Sequence, residues 1–240
     1  MLAALGICLV PMAAFADTIS GSSGAGWQSW STSVLNNEDG APYWNSNSWD
    51  GPAMNIGNCL SGTGNCAIGS NPGNVPYWGL GNGTADTDIT FLKTSSSNGN
   101  SIEGEFAGNA NFNSLGWYDT TDPSVLHPII SGSSGDGANA TFTPSASYGF
   151  YFEDAAVGEI WYSNSLLNSP SEQGDQHFAI FEGAGGSYWM GMEDLSFSNS
   201  DKDYNDMIVK VTPAPEVGTL SLLCTGLFGL GGMLRRRLKI

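Results

Sequence analysis

Basic residues are scarce in this 240-residue chain: seven lysines and arginines stand against 23 aspartates and glutamates. Four of the seven (Arg235, Arg236, Arg237 and Lys239) crowd the last six positions. Between Asp17 and Pro215, 22 acidic residues face Lys93, Lys202 and Lys210 alone, a net −19. Such a surface repels nucleic acid and anionic lipid and attracts cations. Histidine is nearly absent, with only His127 and His177. That removes most histidine-based acid–base chemistry, and His177 sits in a predicted strand among apolar neighbours, where it reads as a packed side chain. Cysteine is rare too. Cys8 and Cys224 fall in the two terminal apolar stretches, which leaves Cys59 and Cys66 in the body. An isolated pair with six residues between them, in an oxidising compartment, most simply forms one local disulfide. A zinc site would need two more ligands, and both histidines are remote in sequence. No Gly-x-Ser-x-Gly, His-Glu-x-x-His or phosphate-cradling loop occurs. Carboxylate pairs such as Glu153-Asp154 could serve a glycosidase, but with so many acids some pair is always close. A non-enzyme is expected, with an acidic-pair polysaccharide hydrolase as the third reading.

The body also lacks any convincing helical period, and what it has instead is β character. Glycine is abundant (33 residues), charge is low (12%), and aromatics reach 11%, enough to furnish a core. Ile89 to Lys93 and Ile102 to Phe106 are short strand candidates. Tyr148-Gly-Phe-Tyr-Phe152 places Tyr148, Phe150 and Phe152 on one face, as a period of two demands. Gln176 to Glu182 and Ser187 to Glu193 read as a hairpin, joined by Gly183-Ala-Gly-Gly186, which supplies positive φ. Asp17 to Asn82 reads as loop-like. The expected fold is all-β: an antiparallel β-sandwich, jelly-roll-like, over residues 17–212.

Both ends read as targeting signals. Residues 1–16 are apolar and close on Ala14-Phe-Ala16, a small-x-small site before Asp17, as in a secretory signal peptide. The basic n-region is missing, as it would be if translation starts upstream. Val217 to Leu234 holds 18 residues without a charge, long enough at 1.5 Å per residue to span the hydrocarbon layer as one transmembrane helix. The arginines that follow leave the C-terminus in the cytoplasm and the acidic body outside.

Residues 213–240 resemble the PEP-CTERM sorting signal of exported Gram-negative proteins. Pro215-Glu216 match its short motif, Val217 stands where a second proline is usual, and the apolar helix and the cluster Arg235-Arg236-Arg237 follow in order. The resemblance implies an exosortase as partner, a transient inner-membrane anchor, release near Pro215-Glu216, and a product that is secreted or held at the cell surface. Four further segments occur in a fixed order: Leu115 to Ile129, Tyr148 to Phe152, Gln176 to Phe181, and Trp189-Met-Gly-Met-Glu-Asp-Leu195. With Asp201-Lys-Asp-Tyr-Asn-Asp206 they resemble, over residues 115–211, an uncharacterised β domain of exported proteins. That resemblance implies a secreted, surface-associated domain that binds calcium, and no enzyme activity.

The densest chemistry lies between Met192 and Val211. Glu193, Asp194, Asp201, Asp203 and Asp206 fall within fourteen residues, with Lys202 the only cation among them. Like charges about 4 Å apart repel by roughly 4 kcal/mol at an effective dielectric near 20. A compact loop must relieve this by solvent or by an ion. The expected site holds one Ca2+ on Asp201, Asp203 and Asn205, with Asp206 or the Glu193–Asp194 pair completing the shell. An EF-hand is excluded, because Asp206 replaces the glycine at position six and Thr212 the bidentate glutamate. The rival is a set of turn caps with Lys202 and Lys210 as partners. Two functional classes follow. One is a non-catalytic, calcium-binding protein associated with exopolysaccharide or the cell envelope. The alternative is a lectin-like carbohydrate-binding module with Trp44, Trp49 and Trp78 as its stacking platform.

Overall fold

The computed structural model describes residues 17–29, 42–44, 55–61, 75–93, 100–106, 110–135 and 137–213. In chain order these form β1 (Thr18–Ser20), β2 (Ala25–Gln28), helix α1 (Ile56–Ser61), β3 (Tyr77–Leu80), β4 (Thr90–Leu92) and β5 (Asn100–Phe106). Then come β6 (Asn113–Asp119), β7 (Asp122–Ser131), β8 (Ala138–Phe142), β9 (Ser147–Asp154), β10 (Glu159–Tyr162), β11 (Phe178–Glu182), β12 (Tyr188–Met192) and β13 (Met207–Pro213). One sheet runs β1-β4-β9-β6-β7 with β10 branching from β9, and the other runs β2-β3-β11-β12-β13-β5-β8. Every pairing is antiparallel. The all-β expectation therefore holds.

The inward faces of the two sheets share one core. Phe91, Leu115, Tyr148, Phe150, Phe152 and Trp161 come from the first sheet. They meet Ile102, Phe142, Phe178, Ile180, Met190 and Val209 of the second. Tyr148, Phe150 and Phe152 are all fully buried on the inner face of β9, as the period-two reading expects, and Gly149 and Tyr151 on its other face are buried too. The second sheet is covered on its outer face as well. There Phe181, Trp189, Ile208 and Tyr77 pack against Tyr43, Trp44, Ile56 and Leu60 in a separate cluster. A strand buried on both faces reads as an almost unbroken apolar run, which is why β11 and β12 stand out in the sequence. Their hairpin turns through Gly185 and Gly186, with φ of 66° and 82°.

The loop-like reading of residues 17–82 is corrected: β1, β2 and β3 lie there, and they join both sheets. These strands have three or four residues each, too few to show alternation without their partners. Helix α1 is likewise unexpected, since six residues cannot display a helical period. His177 lies just before β11 rather than within it. No helix among the described residues is long and apolar enough to cross a membrane. The targeting segments 1–16 and 217–234, with Pro215, Glu216 and Arg235, Arg236 and Arg237, lie outside the described residues. Cys59 is disulfide-bonded, and Cys66 lies outside the described residues.

Candidate metal centre

The acidic segment leaves β12 at Met192 and returns to the sheet at Met207, so its two ends are neighbours across the β12–β13 ladder. Three of its carboxylates converge. Ligand atoms of Glu193, Asp201 and Asp203 all lie within 4.8 Å of one another. Glu193 and Asp203 are each 1% exposed, and Asp201 is half-buried.

The loop is shaped around this cluster. Lys202 and Tyr204 hold left-handed φ values of 60° and 58° on either side of Asp203, a conformation that side chains of this bulk rarely adopt. Several bonds hold it there. The Glu193 carboxylate accepts from the Tyr204 N–H and the Ser200 hydroxyl. The Asp203 carbonyl accepts from the Ile56 N–H at the start of α1, at 2.8 Å. The Tyr204 ring is fully buried, edge-on to Tyr43 at 5.7 Å, and its hydroxyl donates to the Gln176 carbonyl at 2.7 Å. Gly191 makes the approach possible, since a Cβ there would stand 2.3 Å from the Tyr204 carbonyl oxygen. Gly191→Ala should therefore destabilise the chain by about 2–3 kcal/mol. Urea denaturation checks this, and a wild-type midpoint would show that the loop gives way without cost.

Behind the cluster, His177 is buried flat against Trp161 with ring centroids 4.7 Å apart. Its Nδ1 faces the Glu193 carbonyl oxygen at 3.3 Å and its Nε2 faces Glu172 Oε2 at 3.2 Å. Glu172 Oε2 also accepts from the Phe197 N–H at 2.9 Å. A neutral imidazole donates from one nitrogen only, so the tautomer decides whether His177 bonds the Glu193 carbonyl or Glu172, while Glu172 holds the middle of the loop at Phe197. Burial pushes the His177 pKa below its ordinary value, against the opposing pull of Glu172. That environment supports the packed role expected of His177. His127 lies flat on Trp117, centroids 4.0 Å apart.

The electrostatics are those of a site short of positive charge. Burial raises Glu193 to about 7; its bonds from Ser200 and Tyr204 oppose the rise, and the charges of Asp201 and Asp194 add to it. Asp206 is pushed well above its ordinary value by burial first, then by Glu193 and Asp194. Each lysine of the segment rests on a ring: Lys202 Nζ lies 4.4 Å from the centre of Phe197, and Lys210 Nζ 5.2 Å from that of Trp189.

The expected ligand set is thus only partly assembled. Asp201, Asp203 and Glu193 come together. The Asn205 amide donates to Asp203 Oδ2, Asp206 Oδ2 accepts from the Asp194 N–H at 2.8 Å, and Asp194 Oδ2 accepts from Asn113 Nδ2 at 3.0 Å. Ser200 and Glu172 were not expected, and His177 was expected only as a packed side chain. The tryptophan platform needs correction: Trp44 is fully buried and Trp78 is 8% exposed. Neither ring face is open to stack on a sugar, because both serve as core, and Trp49 lies outside the described residues.

Residues 132–214 match a domain of unknown function, DUF4114. The match takes in β8 to β13 and the whole acidic segment, so the candidate centre belongs to the matched part. No curated protein and no solved structure matches the chain.

Proposed function

We propose that this chain is a non-catalytic exported protein whose acidic loop binds calcium for structure, and that it associates with exopolysaccharide or the cell envelope after exosortase processing. The observation that carries the calcium reading is the convergence of Glu193, Asp201 and Asp203 within 4.8 Å. All donors are oxygens, which suits a hard cation and argues against zinc, a metal that favours nitrogen and sulfur. An ion there would offset the burial of Glu193 and Asp206 and their mutual repulsion, which together raise both groups, and would lock the left-handed turns at Lys202 and Tyr204. The export reading rests on the terminal segments and on the strongly acidic body. The jelly-roll description of the sandwich belongs to this reading too.

Calorimetric titration of the chelator-stripped full chain with calcium tests the centre. Extracellular calcium sites typically bind at roughly 0.1–1 mM, so heat should appear in that range. It should shrink sharply in an Asp201→Ala, Asp203→Ala double variant. An absence of heat in the wild type, or a double variant that titrates like it, would remove the calcium reading.

A further inference from the structure

The Glu193-Asp194 dipeptide sends its two carboxylates to different places. Glu193 turns to the acidic loop, whereas Asp194 reaches Asn113 on the opposite sheet. Asn113 opens β6 and stands directly opposite Asp154 of β9 in the ladder. Opposed residues on one face carry Cβ atoms about 4.5–5.5 Å apart. By period two, Asn113 shares the inner face with Leu115, and Asp154 shares it with Phe152 and Phe150. Asn113 and Asp154 are fully buried and Asp194 is 3% exposed. Asn113 thus bonds Asp194 and is paired with Asp154 at the end of an otherwise apolar inter-sheet core.

Their hydrogen bonds leave two oxygens over. Asn113 uses its Nδ2 to donate to Asp194 Oδ2 at 3.0 Å. Asp154 uses Oδ1 to accept from the Ala156 N–H at 2.7 Å. Asn113 Oδ1 and Asp154 Oδ2 are buried with no hydrogen-bond partner. A buried acceptor left unsatisfied keeps its desolvation penalty with nothing to offset it, and the penalty is larger when the group is charged. Two acceptors cannot satisfy each other, so this corner calls for a donor or a cation.

We propose that Asn113, Asp154 and Asp194 form a second cation site, distinct from the acidic loop, that takes calcium. Two carboxylates balance a divalent charge, and an amide oxygen is among the usual calcium ligands. Magnesium is the poorer fit, since it demands near-ideal octahedral geometry and gives up its water reluctantly. Nitrogen and thiolate ligands are absent from the trio, which argues against zinc. An ion here would bridge β6 and β9 of one sheet to the chain leaving β12 of the other, as a staple across the sandwich. The inference rests on its own three residues and shares no ligand atom with the Glu193, Asp201 and Asp203 cluster.

Equilibrium dialysis of the chelator-stripped full chain against calcium, with metal quantified per chain, is the test. The wild type should hold two equivalents, Asp154→Asn one, Asp203→Asn one, and the double variant none. Near-UV circular dichroism shows that each variant is folded. Asn113→Asp serves as a gain-of-ligand control, and it should bind the second equivalent more tightly while melting lower in chelator. If Asp203→Asn binds like wild type while Asp154→Asn loses an equivalent, the acidic-loop reading fails and this one stands. The proposal is overturned if Asp154→Asn keeps the wild-type stoichiometry, or if Asn113→Asp melts lower with and without calcium alike. It is overturned equally if Asp154→Asn melts at or above wild type in both conditions, which would mean that the Asp154 carboxylate holds no ion.

Discussion

Calcium should bind the acidic loop roughly 25-fold more weakly at pH 5.5 than at pH 7.5. Burial raises Glu193 to about 7 in the metal-free chain, and a ligand carboxylate must lose its proton before it can hold an ion. Competition by one proton at that pKa gives the stated ratio, and the upward shift of Asp206 can only widen it. The same shift fixes the sign of the metal-free stability. Glu193 takes up a proton more readily folded than unfolded, so its contribution is complete below 4.5 and lost as pH rises through 7. His177 is shifted the other way; its contribution is complete above 6.5 and lost on acidification. Above pH 6.5 only the carboxylates remain in play. In chelator the chain should therefore lose about 1 kcal/mol between pH 6.5 and 8 through Glu193, a fall of about 2–4 °C in melting temperature. At 10 mM calcium and pH 8, a site with a dissociation constant of roughly 0.1–1 mM adds about 1.4–2.7 kcal/mol, and the fall should be reversed. Scanning calorimetry at pH 5.5, 6.5, 7.5 and 8 with and without calcium measures each part. A calcium-induced shift of equal size at every pH would show that Glu193 is not a ligand.

The same segment shows what a sequence can and cannot say. The spacing of Asp201 and Asp203, and their pairing with Glu193, is legible because carboxylates crowded between two strands have few ways to avoid one another. Asn205 was placed with them by spacing alone, but its amide nitrogen donates to Asp203, and which end of an amide faces a carboxylate is not written in spacing. The left-handed turns at Lys202 and Tyr204 gave no signal, since glycine and asparagine are the residues that announce them. Ser200 is one serine in a run of small polar residues until Glu193 accepts from it. Asn113 and Asp154 lie far from the loop in sequence and meet Asp194 only through the packing of two sheets. A signal for them does exist in retrospect: a polar residue at the inward-facing end of each of two aromatic-rich strands. In the fold, β9 is legible because aromatic rings alternate along its inner face, and β11 and β12 because they are apolar almost throughout. The strands β1, β2 and β3 are held by partners rather than by local pattern. The tryptophans misled for a related reason. A glycine- and asparagine-rich surrounding looks like an exposed loop, yet the same rings supply the bulk that two thin sheets need to close over a core.

Tyr204→Ala should be the most damaging single change near the site, costing about 3–5 kcal/mol. The ring is fully buried in the outer cluster with Tyr43, Trp44 and Ile56, and nothing around it can close the gap without moving α1 or the sheet. The hydroxyl is a smaller matter. Tyr204→Phe keeps the ring and strands only the Gln176 carbonyl, which otherwise accepts at 2.7 Å, for about 1–2 kcal/mol. The two variants also separate packing from ion binding. Tyr204 follows Asp203 directly, and its N–H reaches Glu193, so the ring anchors two of the three converging carboxylates. Losing the ring should loosen both and weaken calcium binding along with the fold, whereas losing the hydroxyl should leave calcium affinity near wild type. Urea denaturation in chelator, paired with calcium titration of each variant, measures the two effects independently. If Tyr204→Phe proves as damaging as Tyr204→Ala, the hydrogen bond and not the ring holds the loop. If Tyr204→Ala binds calcium like wild type, the loop keeps its shape without its anchor, and the convergence of Glu193, Asp201 and Asp203 does not depend on docking into the outer cluster.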